Sequence, residues 1–285
     1  MIGAAVRAVG GLWRSSHPGP TLVVTTLSAA LALASGVSPG RTALLVASVF
    51  AGQLSVGISN DALDARRDRA VGRTDKPLAR GDISVRTAWV GAAVSFGAAL
   101  AFAVPLGAGL LLAHAAFLSS AWAYNLGVKA TRLSVVPYIF SFGLFPSLAT
   151  LSAAEPQFAA PWAWVAGAAL GAALHLTNVL PDLDDDARTG IHGLPHRMGG
   201  RLSARIAAAT VVVGGLAATL GPSQGHLAEV SFLAWLFFGV VVIVAAVTVG
   251  LVRSGRSGRS LFRLVMFAAL VLAAQLVAAG GSLSG

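Results

Sequence analysis

Apolar stretches long enough to cross a bilayer recur about nine times in this chain, near 20–36, 41–59, 87–104, 107–126, 136–153, 161–180, 203–220, 230–252 and 260–280. A span needs about 20 mostly apolar residues, because hydrocarbon leaves the backbone no water to bond to. Short breakers such as Ser38-Pro39-Gly40, Pro156 and Gly221-Pro222 separate the stretches. Only 11% of the 285 residues are charged, against roughly 25% in a soluble protein. The expected fold class is all-α: a polytopic membrane protein with nine transmembrane helices. Met1 to Pro20 is expected to belong to the mature chain and not to a cleaved leader. The absence of Cys excludes disulfides, thiolate catalysis and Cys-ligated metals.

The basic residues orient this stack. With the N-terminus inside, nineteen of the twenty Lys and Arg fall on cytoplasmic segments, and only Arg41 lies on the other face. Such asymmetry is the positive-inside rule in strong form, and it accounts for the +9 net charge without any nucleic acid. The expected location is the inner membrane, multi-pass, with the active site on the cytoplasmic side. The whole chain, 1–285, is read as one transmembrane domain with cytoplasmic cap loops at about 60–86 and 182–202.

The acidic residues need a further explanation. Nine of the eleven lie in two patches, between Asp61 and Asp82 and between Asp182 and Asp186, where apolar helices end. Carboxylates beside hydrocarbon are costly, so concentrated patches need a partner. Both patches contain Asn-x3-Asp-x3-Asp, as Asn60/Asp64/Asp68 and Asn178/Asp182/Asp186. A Gly follows the last Asp by four residues in each copy, and a Pro and a basic residue come next. The copies lie 118 residues apart, each at the end of the second helix in a run of four. A duplicated four-helix unit plus a ninth helix follows from that spacing.

On a helix, residues i and i+4 share a face, so each triad is a stripe of oxygen ligands about 12 Å long. Two facing stripes would make a cage of hard oxygen donors, which favours Mg²⁺ shared with substrate phosphate over Zn²⁺. Arg66, Arg67, Arg73, Lys76 and Arg80 follow the first patch, and Lys129 and Arg132 lie between the two. Cations beside carboxylates suit a diphosphate.

The run Asn60-Asp61-x2-Asp64-x3-Asp68, the stretch Arg73-Thr-x-Lys76-Pro77-Leu78-Ala79-x-Gly81, and Asp182-x3-Asp186 with Leu194-Pro195-x-Arg197-Met198-Gly199 resemble the UbiA superfamily of intramembrane prenyltransferases. Tyr124 and Lys129 before a helix opening with Pro137-Tyr138 add to the likeness. The resemblance implies nine helices around a central cavity, with cap loops on the cytoplasmic side. It implies two Mg²⁺ on Asn60, Asp64, Asp68, Asn178, Asp182 and Asp186, with Asp64, Asp68, Asp182 and Asp186 catalytic. Arg73, Lys76, Tyr124 and Lys129 would steady the phosphate oxygens. The sequence departs from many members at Pro181 and at Gly193.

The expected reaction is Mg²⁺-dependent ionisation of an isoprenyl diphosphate and transfer of the prenyl group to a lipophilic, aromatic acceptor. The alternative within the fold is a terpene cyclase that needs no acceptor. A secondary transporter is disfavoured, because its charges would lie at mid-membrane. His175, Asn125 and Arg14 are the only polar candidates for recognising an acceptor ring, and none has a compelling spacing. Arg14 and His17, ahead of the first span, are placed to reach the cavity mouth or to serve topology, and the topological role is favoured.

Overall fold

The computed structural model describes residues 2–180, 193–254 and 259–284, and helices dominate it. Helix α1 (Ile2–Ser15) precedes α2 (Pro18–Ala34), α3 (Pro39–Ala70), the short α4 (Pro77–Arg80), α5 (Val85–Ala103), α6 (Ala108–Leu126), α7 (Val136–Thr150) and α8 (Pro161–Asn178). Then come the short α9 (Leu194–Met198), α10 (Gly200–Leu220), α11 (Phe232–Arg253) and α12 (Arg259–Ala278). Each of the nine apolar stretches coincides with one of these helices. Five helical segments are long and apolar enough to cross a membrane by length and composition: 39–70, 85–106, 200–220, 232–253 and 260–278.

Local chemistry sets the helix boundaries. Proline stands in the first turn of α2, α3, α4, α7, α8 and α9. Its missing N–H would have no intrahelical partner there, and its fixed φ suits a helix start. Serine caps α5 and α11, where Ser84 accepts from the Thr87 amide at 3.0 Å and Ser231 from the Ala234 amide at 3.1 Å.

Helix α8 lies at the centre, packed against α7, α10 and α12. Small residues allow the close approach: a Cβ at Gly167 or Gly171 would run into the carbonyls of Phe142 and Tyr138 on α7. Tight van der Waals packing through Gly and Ala replaces the hydrophobic drive that lipid tails cannot supply. The outer helices turn large apolar side chains outward, among them Val90, Val94 and Phe102 on α5 and Leu236, Ile243 and Val247 on α11.

Several polar side chains inside the bundle bond to one another and to backbone carbonyls. On α3, Ser48 donates to the Ala99 carbonyl at 2.7 Å and meets His114 Nδ1 at 2.8 Å. On α12, Gln275 donates to Thr219 Oγ1 at 2.7 Å and to the Gly215 carbonyl at 3.3 Å. Arg41 donates to the carbonyls of Ser152 (2.6 Å) and Leu106 (3.1 Å), tying three helix ends together on the face away from the acidic patches.

The loop expected from residue 60 starts only after Ala70, because α3 continues through the whole first patch. The chain then turns at Gly72, forms α4, and turns again at Gly81, both glycines having positive φ.

Candidate functional site

Because α3 remains helical to Ala70, the i, i+4 geometry inferred from the sequence is present in the first patch. The polar groups around it separate into two stripes. On one side, Lys129 Nζ lies 2.8 and 2.7 Å from the two carboxylate oxygens of Asp64 and 3.2 Å from Asn60 Oδ1. Arg67 bridges onward, 3.2 Å from Asp64 and 3.7 Å from Asp68. On the other side, Lys76 Nζ lies 2.6 Å from Asp61 Oδ1, and His17 Nε2 reaches the same oxygen at 2.9 Å.

Three elements hold Lys129 in place. Asn125, one turn earlier, donates to the Val56 carbonyl at 2.9 Å and to Ser59 Oγ at 3.0 Å, fixing the end of α6 to α3. A single 3-10 turn, Val128–Ala130, then aims the lysine back at Asp64. The chain near Gly193 crosses over this turn so closely that a Cβ there would lie 2.5 Å from the Lys129 carbonyl oxygen. That close approach gives a physical reason for glycine at this position.

Lys76 is delivered by the cap formed by α4. Arg69 donates to the Leu78 carbonyl at 3.1 Å, and Arg80 donates to the Thr74 carbonyl at 3.2 Å while also holding Asp82. The Arg80 guanidinium beside Asp82 holds its carboxyl below the usual range. Arg73 lies on the exposed rim of this cap, donating to Asp75 at 2.9 and 2.8 Å, and this bond holds the Asp75 carboxyl at about 2.

Aromatic rings lead away from the charged layer. Tyr124 meets Tyr138 edge-on at 5.2 Å between ring centroids, and Tyr138 stacks on Phe142 at 6.2 Å. The series continues to Phe145 at 6.1 Å and from there to Phe117 at 6.0 Å. Asn178 ends α8 with a hydrogen bond to Tyr138, so the second triad begins next to these rings.

The structure therefore brings Asn60, Asp64, Asp68 and Lys129 together, and it places Tyr124, Tyr138 and Asn178 beside one another. Lys76 turns to Asp61 and not to Asp64, and Arg73 lies further out on the rim. Asp182 and Asp186, with Asp184 and Asp185, lie outside the described residues. Among the described residues no three His, Cys, Asp or Glu side chains converge as a metal cage. The first stripe nevertheless fits a hard cation: Asn60 and Asp64 already hold the ammonium of Lys129 among oxygen donors only.

The three residues considered for acceptor recognition are otherwise engaged. Asn125 anchors α6, His175 Nε2 lies 3.0 Å from Ser134 Oγ, and Arg14 lies 3.3 Å from Asp82. Asp61 and His17 were missed as site residues. Asp61 could have been found from its place in the same acidic run, three residues before Asp64 on α3. Nothing in the sequence signals that His17 reaches it.

Comparison with known proteins agrees with this architecture. The fold is similar to that of a structure described as digeranylgeranylglyceryl phosphate synthase in membranes, with a TM-score of 0.73 and 13% identity over 97% of this chain and 99% of that one. A UbiA homologue from Aeropyrum pernix K1 superposes with a TM-score of 0.72 and 20% identity, covering 91% of this chain and 97% of that one. A UbiA homologue from Archaeoglobus fulgidus bound to GPP and Mg²⁺ gives 0.68 and 15%, covering 94% and 99%. No curated protein sequence matches the chain. At these identities the structures speak for the fold alone, whereas the sequence model of the UbiA prenyltransferase family matches residues 21–271 directly. An apolar helical bundle with its acids and cations gathered at one end is thus an integral membrane protein that belongs to the UbiA prenyltransferase family.

Proposed function

We propose that this protein is a Mg²⁺-dependent intramembrane prenyltransferase acting on an isoprenyl diphosphate and a lipophilic, aromatic acceptor. The observation that carries the reading is the alternation of acids and cations at one end of the bundle, with Lys129 seated on Asn60 and Asp64 and Lys76 on Asp61. A permanent ion-pair layer at a membrane boundary is expensive unless its charges serve a ligand. The Archaeoglobus fulgidus homologue bound to GPP and Mg²⁺ has the same fold.

Asn60, Asp64 and Asp68 would hold metal from the α3 side, and Asn178, Asp182 and Asp186 from the α8 side. When bound, Mg²⁺ neutralises the diphosphate and so assists its departure from the allylic carbon. Lys129 is placed to turn from Asp64 to the phosphate oxygens, with Lys76, Arg73 and Tyr124 around them. Placing donors where charge develops lowers the barrier without reorganisation during the reaction. The rings from Tyr124 to Phe117 give the prenyl chain an apolar path, and their faces suit a carbocation. That aromatic series also supports the second reading, a cyclase in which the substrate's own double bond captures the cation.

Nine spans, one domain over 1–285 and a cytoplasmic site complete the reading. The chain ends flanking 181–192 support a shared site, since Asn178 bonds Tyr138 and Gly193 lies on the Lys129 turn. The test is incubation of purified protein with geranyl, farnesyl and geranylgeranyl diphosphates, with and without Mg²⁺ and a membrane lipid extract. Mg²⁺-dependent release of diphosphate with a prenylated lipid product is expected. A cyclic hydrocarbon made without any acceptor would replace the transferase by the cyclase, and no release at all would end both readings.

A further inference from the structure

Asp61 and His17 form a unit that the diphosphate chemistry above does not use. The Asp61 side chain is 1% exposed. One of its oxygens takes both Lys76 and His17, while Oδ2 is buried without a hydrogen-bond partner. His17 is held there by a strap across α3. Its neighbour Ser16 lies so close to α3 that a Cβ at Gly57, one turn before Asp61, would strike the Ser16 carbonyl. Thr21 Oγ1 donates to that same carbonyl at 2.7 Å, and Ser16 Oγ donates to the Trp13 carbonyl at 2.7 Å. His17 itself adopts φ 55° and ψ 71°, a left-handed conformation uncommon for a residue with a Cβ. Such conformations persist where the surrounding structure imposes them, and they cluster at functional sites.

The hydrogen bonds determine the state of the imidazole. His17 Nε2 lies 2.9 Å from Asp61 Oδ1 and 3.3 Å from Lys76 Nζ; the ammonium already donates to that same oxygen at 2.6 Å, and an ionised carboxylate only accepts, so the shorter contact assigns the proton to Nε2. Nδ1 then keeps its lone pair, and it has no hydrogen-bond partner among the described residues. The side chain is 38% exposed, so this edge is open to an incoming molecule. The described carboxylates of the constellation each face a cation or His17: Asp64 meets Lys129 and Arg67, Asp68 meets Arg67, and Asp61 meets Lys76 and His17 through Oδ1 alone. Each of these faces a cation or belongs to the metal stripe, whereas Nδ1 of His17 is a basic atom at the solvent-facing edge of the layer that none of the described cations meets.

We infer that His17, oriented by Asp61, is the general base that takes the proton lost when the prenyl cation is captured. The inference rests on the prenyl-transfer reading. In the step, the allylic C–O bond breaks and its electron pair leaves with the diphosphate. A pair from the acceptor forms the new bond to the prenyl carbon, and the acceptor's proton passes to His17 Nδ1. The electrons of the broken acceptor C–H or O–H bond restore the neutral product, and His17 later returns the proton to water. A positioned base of this kind contributes about 10²–10⁴ in rate.

The decisive variant is His17→Gly. Glycine adopts φ near +55° without strain, so this change relaxes the strap while removing the base. Wild type and variant are incubated with Mg²⁺, geranylgeranyl diphosphate and a total membrane lipid extract. Diphosphate release, prenylated product and prenyl alcohol are measured in parallel, with and without added imidazole. We expect diphosphate release to continue in the variant, the ratio of prenylated product to alcohol to fall about a hundredfold, and imidazole to restore part of it. Asp61→Asn should lower the same ratio to a smaller extent, without rescue. An unchanged ratio in His17→Gly, or a loss that imidazole does not touch, overturns the assignment and leaves His17 a structural strap. Wild-type protein that makes only the alcohol also overturns it, because no proton-losing capture then occurs. Wild type that releases no diphosphate would instead refute the prenyl-transfer reading itself.

Discussion

Helix α3 carries polar groups at two levels, and they are satisfied in opposite ways. At Ser48, inside the bundle, the hydroxyl is paired with both His114 and a backbone carbonyl, and no charged partner is involved. Sixteen residues further on, about 24 Å along the helix axis, Asp64 faces a lysine and an arginine while Asp61 shares one oxygen between two donors and leaves the other bare. The lower pair closes on itself, as hydrocarbon requires. The upper layer gathers several charges and leaves one buried carboxylate oxygen, Asp61 Oδ2, without a partner among the described residues. Polarity alone does not distinguish scaffold from site in a membrane protein; the degree of closure does.

The strongest test of that contrast is Asp64→Ala. It should reduce diphosphate release at least about a hundredfold, the usual cost of losing one transition-state stabilising group, while the protein elutes as a monodisperse species in detergent. Near-normal release would place the site elsewhere.

Lys129→Met should act through the substrate. The loss of a charge-assisted contact, about 2 kcal/mol or more, predicts a KM for the prenyl diphosphate raised at least about tenfold. Because the lysine no longer competes for Asp64 and Asn60, Mn²⁺ added alone should bind more tightly, as read by electron paramagnetic resonance titration. Weaker Mn²⁺ binding would show that Lys129 supports the metal stripe and does not compete with it.

Ser48→Ala addresses the closed pair. Its expected effect is thermodynamic: about 0.5–1.5 kcal/mol from the thermal midpoint, with kcat and KM unchanged. A loss of activity without a loss of stability would move His114 from scaffold to site.

The smallest effect belongs to the rim. Asp75 is held at about 2, below its ordinary 3.8, by its bond to Arg73. A depressed carboxyl contributes stability that is present above its unfolded value and lost as pH falls towards 2. The pair is exposed, so the contribution is below about 1 kcal/mol. Asp75→Asn should lower the midpoint slightly at neutral pH and leave it unchanged near pH 2. A large neutral-pH loss would mean that the cap depends on this pair.

The helices were legible from the sequence because burial in lipid imposes one signal on every span, a long run of apolar residues. The first polar stripe was legible for a related reason: Asn60, Asp64 and Asp68 are local, and the helix alone decides that they share a face. What could not be read depends on contacts between distant segments. His17 meets Asp61 across 44 positions, and Lys129 meets Asp64 across 65. The likeness to a known family suggested Lys129, but no general rule of spacing could supply His17. Asn125 shows the converse error, a polar residue considered for ligand binding whose amide is spent anchoring α6.

The strap across α3 also has a consequence for how the protein is made. The groups that meet the first patch emerge from the ribosome in a fixed order: His17 before it, Lys76 fifteen residues after Asp61, and Lys129 sixty-five after Asp64. At 5–20 residues per second the last of these lags the patch by about 3–13 seconds. Through that interval α3 is already synthesised, with its carboxylates at the lipid boundary and its main counter-ion not yet made. The N-terminal strap is the one tertiary partner available from the start, so the segment that precedes the first span gives the nascent carboxylates their earliest escort.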